Sequence, residues 1–266
     1  MKVKDVLKAI DDRSPFSAAL EWDNSGLLAG GMDWKVSRIL LALDCTDYVI
    51  DYAIDNKADL IITHHPLIFS SIKRITDDDF IGRRIIKLIS NGISYIAMHT
   101  NYDSFGMADA AAGRLGIKNT VVLDEIDTKA ISDRIDGSNG IGRVGTIEPS
   151  QSLEDFAREV RDAFSLSHVR FFGDGAARIN RVAICPGSGK SEIKNAIKHG
   201  ADVLVTGDID HHSGIDAVAC GLNIIDAGHH GIEHIFTEDE GEYLSGVLGG
   251  NIDIIKEPVR EPFTFV

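Results

Sequence analysis

RILLALDCTDYVIDYAIDNKADLIIT, residues 38–63, decides the fold. RILLALD is a near-continuous apolar run, YVIDYAIDNK has a helical period, and ADLIIT is again continuous and rich in β-formers. Apolar runs that alternate with helices predict parallel strands covered on both faces. The unit returns later in the chain. A shift of 143 positions lays RILLALD (38–44) on RVAICPG (181–187), Ala53-Ile54 on Ala196-Ile197, and ADLIIT (58–63) on ADVLVT (201–206) without a gap. The third strand also recurs, GISYIAM (92–98) against GLNIIDA (221–227), at a shift of 129. Strand and helix matches fall in the same order in both copies, which predicts two related three-layer α/β lobes with mostly parallel sheets. The expected boundaries are 1–123 plus 210–266 for the first lobe and 124–209 for the second.

Outside the repeat, Val3, Val6, Leu7 and Ile10 have the spacing of a short amphipathic helix over Lys2–Ile10, and Gly82–Asn91 reads as another helix. The loop Ala19–Gly31 holds Trp22, which suits either a pocket wall or a plug on the core. Between the copies, GIGRVGTIE reads as a strand carrying Gly140 and Gly142, SQSLEDFAREVRDAF as a helix capped by Ser152 with Asp155 three residues on, and HVRFFG as a strand. This middle piece is rich in arginine (Arg134, Arg143, Arg158, Arg161, Arg170, Arg178), read as a solvated face.

Composition narrows the classes. No apolar run approaches the roughly 18 residues that span a bilayer, and MKVKDVLKAIDDRSPF carries an acidic pair where a signal peptide needs its cleavage region. Cys45, Cys185 and Cys220 are odd in number and widely spaced, which suggests neither a disulfide framework nor a thiolate zinc site. A reducing cytoplasm is the expected compartment, with no membrane role. A formal charge of −14 opposes non-specific binding to a phosphate backbone, leaving only a local basic patch as a route to nucleic acid.

In open parallel sheets, ligands gather beyond the carboxyl ends of the strands. There the sequence places His64-His65-Pro66 after ADLIIT, and His99 and Asp103 after ISYIAM. The second copy supplies Asp208, Asp210, His211 and His212 after ADVLVT, then His229, His230, Glu233 and His234 after LNIIDA. Of the 10 histidines, only His168 and His199 lie elsewhere. A lone strand-end histidine is more often a hydrogen-bonded polar group than a ligand, whereas this convergence points to a metal. Imidazole and carboxylate without sulfur suit zinc, manganese, iron or nickel, and two such ions in a shared site lie roughly 3.5–4 Å apart. Adjacent strand residues face opposite ways, so His64 and His65 serve one site only if the chain turns, and Pro66 restricts His65 to extended geometry. His229 and Glu233, four apart, share a face if a helix begins near His230. Gly187-Ser188-Gly189-Lys190-Ser191 imitates a phosphate-binding loop, but the full pattern needs glycine where Ile184 stands, so it retains at most a weak phosphate role.

EWDNSGLL, ITHHP, HTNYD, GIGRVG, TGD with its following HH, and DAGHHGIE occur in an order that resembles the Nif-three-like family (Ngg-one-interacting factor three), also called the GTP cyclohydrolase I type 2 family. The resemblance covers nearly the whole chain. It implies two lobes with a dinuclear metal centre between them, held by His64, His65, Asp103, His229 and Glu233, in a toroidal homohexamer. Two departures stand out: Asp208 replaces a frequent glutamate, and His230 a usual aromatic.

The reading that follows is a metal-dependent hydrolase with two divalent ions acting on a small molecule, nucleotide-like or a cyclic amide, the GTP cyclohydrolase type resting on the resemblance alone. His99, Asp208, His211 and His212 are the expected ligand orienters or general bases. The other classes are a non-catalytic metal-binding scaffold or metallochaperone, and a regulatory factor that binds DNA or a protein partner. Fold and family do not by themselves fix chemistry.

Overall fold

The computed structural model describes residues 1–126, 139–250 and 252–264; Arg134 lies outside them. In chain order the first elements are α1 (Val3–Arg13), β1 (Gly26–Ala29), β2 (Arg38–Ala42), α2 (Asp47–Asp55), β3 (Leu60–Thr63), α3 (Phe80–Ser90), β4 (Ser94–Ala97) and the turn α4 (Thr100–Tyr102). A π-helical turn (Asp103–Met107) leads to α5 (Ala108–Arg114), β5 (Lys118–Glu125), β6 (Gly140–Ser152), α6 (Leu153–Ala163), β7 (Arg170–Phe172) and β8 (Arg178–Ser188). After a 3-10 turn (Gly189–Glu192) come α7 (Ile193–Lys198), β9 (Val203–Gly207), α8 (His211–Ala219), β10 (Asn223–Asp226), α9 (His229–Glu233), α10 (Ile235–Leu248) and β11 (Asp253–Lys256).

The chain forms two compact units, Met1–Tyr102 with Phe236–Arg260, and Asp103–Ile235 with Glu261–Val266. They differ from the expected 1–123 plus 210–266 and 124–209, because strand pairing outweighs linear proximity. β5 pairs with β6, and β10 lies between β9 and β7, so both flanking stretches stay with the second sheet.

The first unit's sheet has the order β1-β4-β3-β2-β11, parallel apart from the β1/β4 edge. The second unit's order is β5-β6-β8-β9-β10-β7, and here only β8/β9 and β9/β10 are parallel. The mostly parallel expectation is therefore corrected for this sheet. Continuous apolar runs identify only strands covered on both faces, such as β9, which is buried throughout; β5 and β7 are largely exposed edges of the kind that antiparallel sheets tolerate.

The internal repeat is visible in the register. Ile39 pairs with Leu60 as Val182 pairs with Val203, and Leu60 with Ser94 as Val203 with Asn223. The strand entrances match too: Asp59 Oδ2 accepts from the Ser37 and Arg38 N–H groups at 2.7 and 3.0 Å, and Asp202 Oδ2 from those of Asn180 and Arg181 at 2.9 and 2.7 Å. Each half has its own core, with Leu40, Ile61 and Tyr95 in one and Ala183, Leu204 and Ile224 in the other.

Local signals hold where they have a specific mechanism. Ser152 Oγ accepts from the Asp155 N–H at 3.1 Å and caps α6, and α1 buries Val3, Val6 and Ile10. The solvated reading of the arginines fails at Arg143, which is 3% exposed: its guanidinium bonds both oxygens of Asp109 at 2.6 and 2.7 Å and the carbonyls of Gly140 and Gly142.

Asp59→Ala and Asp202→Ala each remove the carboxylate that accepts from two backbone N–H groups at equivalent strand entrances, and each is expected to cost about 1–3 kcal/mol by denaturant unfolding near neutral pH. Burial pushes the Asp59 carboxyl up, but the bonds from Ser37 and Arg38 outweigh it and hold the group below its ordinary range. A depressed folded value means that the Asp59 contribution is fully present above about pH 4 and fades as pH falls through the folded value. The wild-type minus Asp59→Ala difference measured against pH must shrink on the acid side.

Candidate metal centre

In the first unit, β3 ends in Thr63 and the chain turns at His64-His65-Pro66. Thr63 Oγ1 donates to the His65 carbonyl at 2.7 Å, and the His65 N–H donates to the Leu43 carbonyl at 3.0 Å. The buried Tyr95 hydroxyl fixes the corner: it accepts from the Leu67 N–H at 2.8 Å and lies 2.7 Å from Thr63 Oγ1 and 3.0 Å from the His65 carbonyl. This is the turn that a shared site for two adjacent histidines requires. His64 is fully buried, its Nδ1 2.8 Å from the Met98 carbonyl. A carbonyl only accepts, so Nδ1 carries the proton and Nε2 the lone pair.

His65 Nδ1 lies 2.9 Å from Asp44 Oδ1, and His99 Nδ1 lies 2.7 Å from Asp23 Oδ1. Asp23 is the more elaborate support. Its side chain is inaccessible to solvent, and its other oxygen accepts from Thr100 N–H and Oγ1 at 3.0 and 2.6 Å and from Ser25 Oγ at 3.0 Å. Burial pushes this carboxyl up, yet the bonds from His99 and Thr100 prevail and hold it well below the usual carboxylate range. The ionised oxygen thus keeps the proton on His99 Nδ1. One ring nitrogen from each of His64, His65 and His99 lies within 4.8 Å of the others.

The second unit contributes oxygen as well as nitrogen. Gly228, at φ +74°, precedes α9, which begins at His229, one residue earlier than the sequence suggests. His229 Nδ1 lies 2.7 Å from Asp208 Oδ2, and its Nε2 lies 3.0 Å from Glu233 Oε2 one helical turn on. A carboxylate oxygen of Asp103, which opens the π-helical turn, lies within 4.8 Å of one of Glu233. Gly187 is required here: at φ +76°, an added Cβ would sit 2.2 Å from Glu233 Oε1. The glycine-rich loop therefore closes over a carboxylate, and its Gly189 N–H is committed to Thr206 Oγ1 at 2.9 Å. Burial and the nearby Glu192, Asp103 and Glu233 push the Cys185 thiol up, consistent with a donor set free of thiolate.

His99 joins a ligand-capable cluster, and Asp208 orients a histidine. His211 and His212 begin α8 behind the Asp210 cap, exposed with rings 5.2 Å apart, and neither joins a metal-capable group among the described residues. Asp44 and Asp23 were missed. Asp44 closes RILLALD and obeys the same strand-end rule that selected the histidines, whereas Asp23 sits in a loop without a periodic signal. Trp22 is 57% exposed and is no core plug: its ring lies 5.8 Å from that of Phe69 and 5.9 Å from that of His99.

The description of the Duf34/NIF3 (NGG1p interacting factor 3) family matches residues 1–260. A Clostridium acetobutylicum protein named GTP cyclohydrolase 1 type 2 homolog is 38% identical over 250 residues, covering 93% of this chain and 91% of that protein. A Clostridium perfringens protein of the same name is 34% identical over the full length of both. Among solved structures, a Staphylococcus aureus hypothetical protein superimposes with a TM-score of 0.89 at 33% identity, covering 100% of this chain and 99% of that one. Reduced HcgD from Methanocaldococcus jannaschii gives 0.81 at 30% identity, covering 96% and 97%.

Tyr95→Phe leaves the Leu67 N–H without its acceptor, which should cost about 1–3 kcal/mol of stability. Because the same hydroxyl fixes the His64-His65 corner, the variant should also bind zinc or manganese more weakly in equilibrium dialysis. Wild-type affinity in a destabilised variant would separate Tyr95 from the site.

Proposed function

Since the chain belongs to the Duf34/NIF3 (NGG1p interacting factor 3) family, we propose that His64, His65, Asp103, His229 and Glu233 together hold two divalent cations, and that the protein is a metal-dependent hydrolase of a small, nucleotide-like or cyclic amide substrate. The observation that carries this reading is the treatment of the histidines. His64, His65, His99 and His229 each have Nδ1 hydrogen-bonded, one to a carbonyl and three to carboxylates, so each presents Nε2. That is how proteins orient metal-binding imidazoles. The donor set of imidazole and carboxylate suits zinc, manganese, iron or nickel.

Chain connectivity also supports the reading. Within the first unit, the rings of Tyr102 and Phe236 lie 6.3 and 5.7 Å from that of His64. Asp103 follows Tyr102 directly and Glu233 precedes Phe236 by three residues, so both carboxylates stand close in sequence to residues that pack on His64.

Divalent cations bound there supply Lewis acidity and acidify water. The chain's residues do the rest. Asp44, Asp23 and Asp208 hold the rings of His65, His99 and His229 in place, and His99 is the group that can take or return a proton through Nε2. The homohexamer and cytoplasmic setting belong to the same proposal. The relatives' name, GTP cyclohydrolase 1 type 2 homolog, motivates nucleotides as the first substrates to test.

Elemental analysis of protein purified without added metal should find about two equivalents of divalent ion per chain. Glu233→Ala should lower that content while the chain stays folded by circular dichroism; a variant that still holds two equivalents removes Glu233 from the ligand set. In a screen of nucleotides, phosphoesters and cyclic amides, His65→Ala should abolish whatever turnover the metal-loaded protein shows. No turnover on any substrate, with metal passed to an acceptor protein, would favour a metallochaperone.

A further inference from the structure

Beside His229 and Asp208, the second unit has a cleft of about 390 Å³ whose walls include Arg170, His168 and Phe263. Arg170 opens β7 at the edge of the sheet, and its guanidinium is fixed in place. Nε and Nη2 donate to Asp226 Oδ2 at 3.0 and 2.7 Å, and Nη2 also donates to the Ile209 carbonyl. Its carbon lies 5.6 Å from the centre of the Phe172 ring. Asp226, only 6% exposed, spends its remaining acceptor capacity on the backbone: Oδ1 takes the Gly228 N–H at 3.0 Å and Oδ2 the Ile209 N–H at 3.1 Å.

One buried carboxylate therefore braces the guanidinium together with the neighbours of His229 and Asp208. A structural tie to Asp226 would need only part of what Arg170 offers. A guanidinium has five N–H donors, and those on Nη1 bond to nothing among the described residues, while the side chain remains 61% exposed. Ion pairing and two backbone donors satisfy the Asp226 charge, and the Nη1 amino group is left as a pre-ordered, charged donor on the wall of the cleft. Such a group, already held in place, hydrogen-bonds an oxyanion oxygen with little ordering cost. Asp208 and Asp226 line the same cleft, so in a chain of net charge −14 the braced Arg170 guanidinium is where an anionic small molecule would settle.

We propose that Arg170 is an oxyanion-binding subsite that receives a phosphate or carboxylate group of the substrate, with Phe263 offering an apolar surface to the rest of the molecule. Placing the reacting end of that molecule at His229 rests on the metal-centre reading; binding of the oxyanion at Arg170 does not.

The test uses full-length protein, metal-loaded and chelator-stripped, titrated with inorganic phosphate by ³¹P NMR and with labelled acetate by ¹³C NMR. In Arg170→Gln, whichever oxyanion binds should weaken at least about tenfold in both forms, and Arg170→Lys, which keeps the charge without the braced Nη1 donor, should fall between. Metal content should be equal in all three proteins. A preference for phosphate or for acetate identifies which group the subsite takes. Equal binding by wild type and Arg170→Gln overturns the proposal, as does absence of binding to wild type in both forms. Should Arg170→Gln fail to fold, wild-type affinity in Arg170→Lys overturns it. A wild-type protein without metal would sink the metal centre alone, and the stripped-form titration would still judge Arg170.

Discussion

An imidazole has two nitrogens and one proton to place when neutral, and the site depends on where that proton is kept. In His64, His65, His99 and His229 it is held on Nδ1 by an acceptor that cannot donate: the Met98 carbonyl, Asp44, Asp23 and Asp208. Each acceptor fixes a tautomer and a ring plane together, leaving Nε2 as the outward donor. The demand on the scaffold is considerable, since Asp23 is a buried carboxylate and must be satisfied within the fold. Thr100, Ser25 and His99 do this together, so the loop that carries Trp22 and Asp23 is tied to the end of β4 by the same bonds that aim a ligand-capable ring.

The repeated strand–helix–strand unit explains how the two halves differ. Registers and strand entrances coincide, but the residues just beyond the matched strands diverge. After Thr63 come His64 and His65; after Thr206 come Gly207 and Asp208. Gly207 is dictated by geometry, because a Cβ there would sit 2.4 Å from the His229 backbone nitrogen. The second copy thus has a glycine and the close approach of α9 where the first has a ligand-capable histidine, and its own ligand-capable side chains are His229 and Glu233 on that helix. One half offers nitrogen donors and the other a mixture weighted toward oxygen, which a duplicated scaffold can achieve only by losing symmetry at the strand ends.

Much of this was legible in the sequence, for physical reasons. Doubly covered strands advertise themselves as continuous apolar runs, which is why β2, β3, β8 and β9 and their shared register could be read directly. The strand-end rule found the histidines and Glu233 because polar residues directly after such runs stand out. What escaped depends on partners distant in the chain. β5 and β7 are exposed edges whose pairing gives no local pattern, and they move the unit boundaries to Tyr102/Asp103 and Ile235/Phe236. Arg143 looks like any surface arginine until Asp109 and two glycine carbonyls surround it. His211 and His212 satisfied the strand-end rule yet begin an exposed helix, because Asp210 serves as the cap of α8 and not as a turn toward the site.

The second unit gathers its acidic side chains closely. Glu233 is 4% exposed, a carboxylate oxygen of Asp103 lies within 4.8 Å of one of its own, and the same two residues with Glu192 help to push up the thiol of Cys185. Like charges this close oppose ionisation and folding together. A ligand that binds the native state alone stabilises such an arrangement, and for a cluster of carboxyl groups a divalent cation is the natural counterpart. On the proposed reading a bound metal would enter the second unit's energetics as well as its chemistry, and Gly187, where an added Cβ would sit 2.2 Å from Glu233 Oε1, marks how closely the backbone is shaped around that carboxylate.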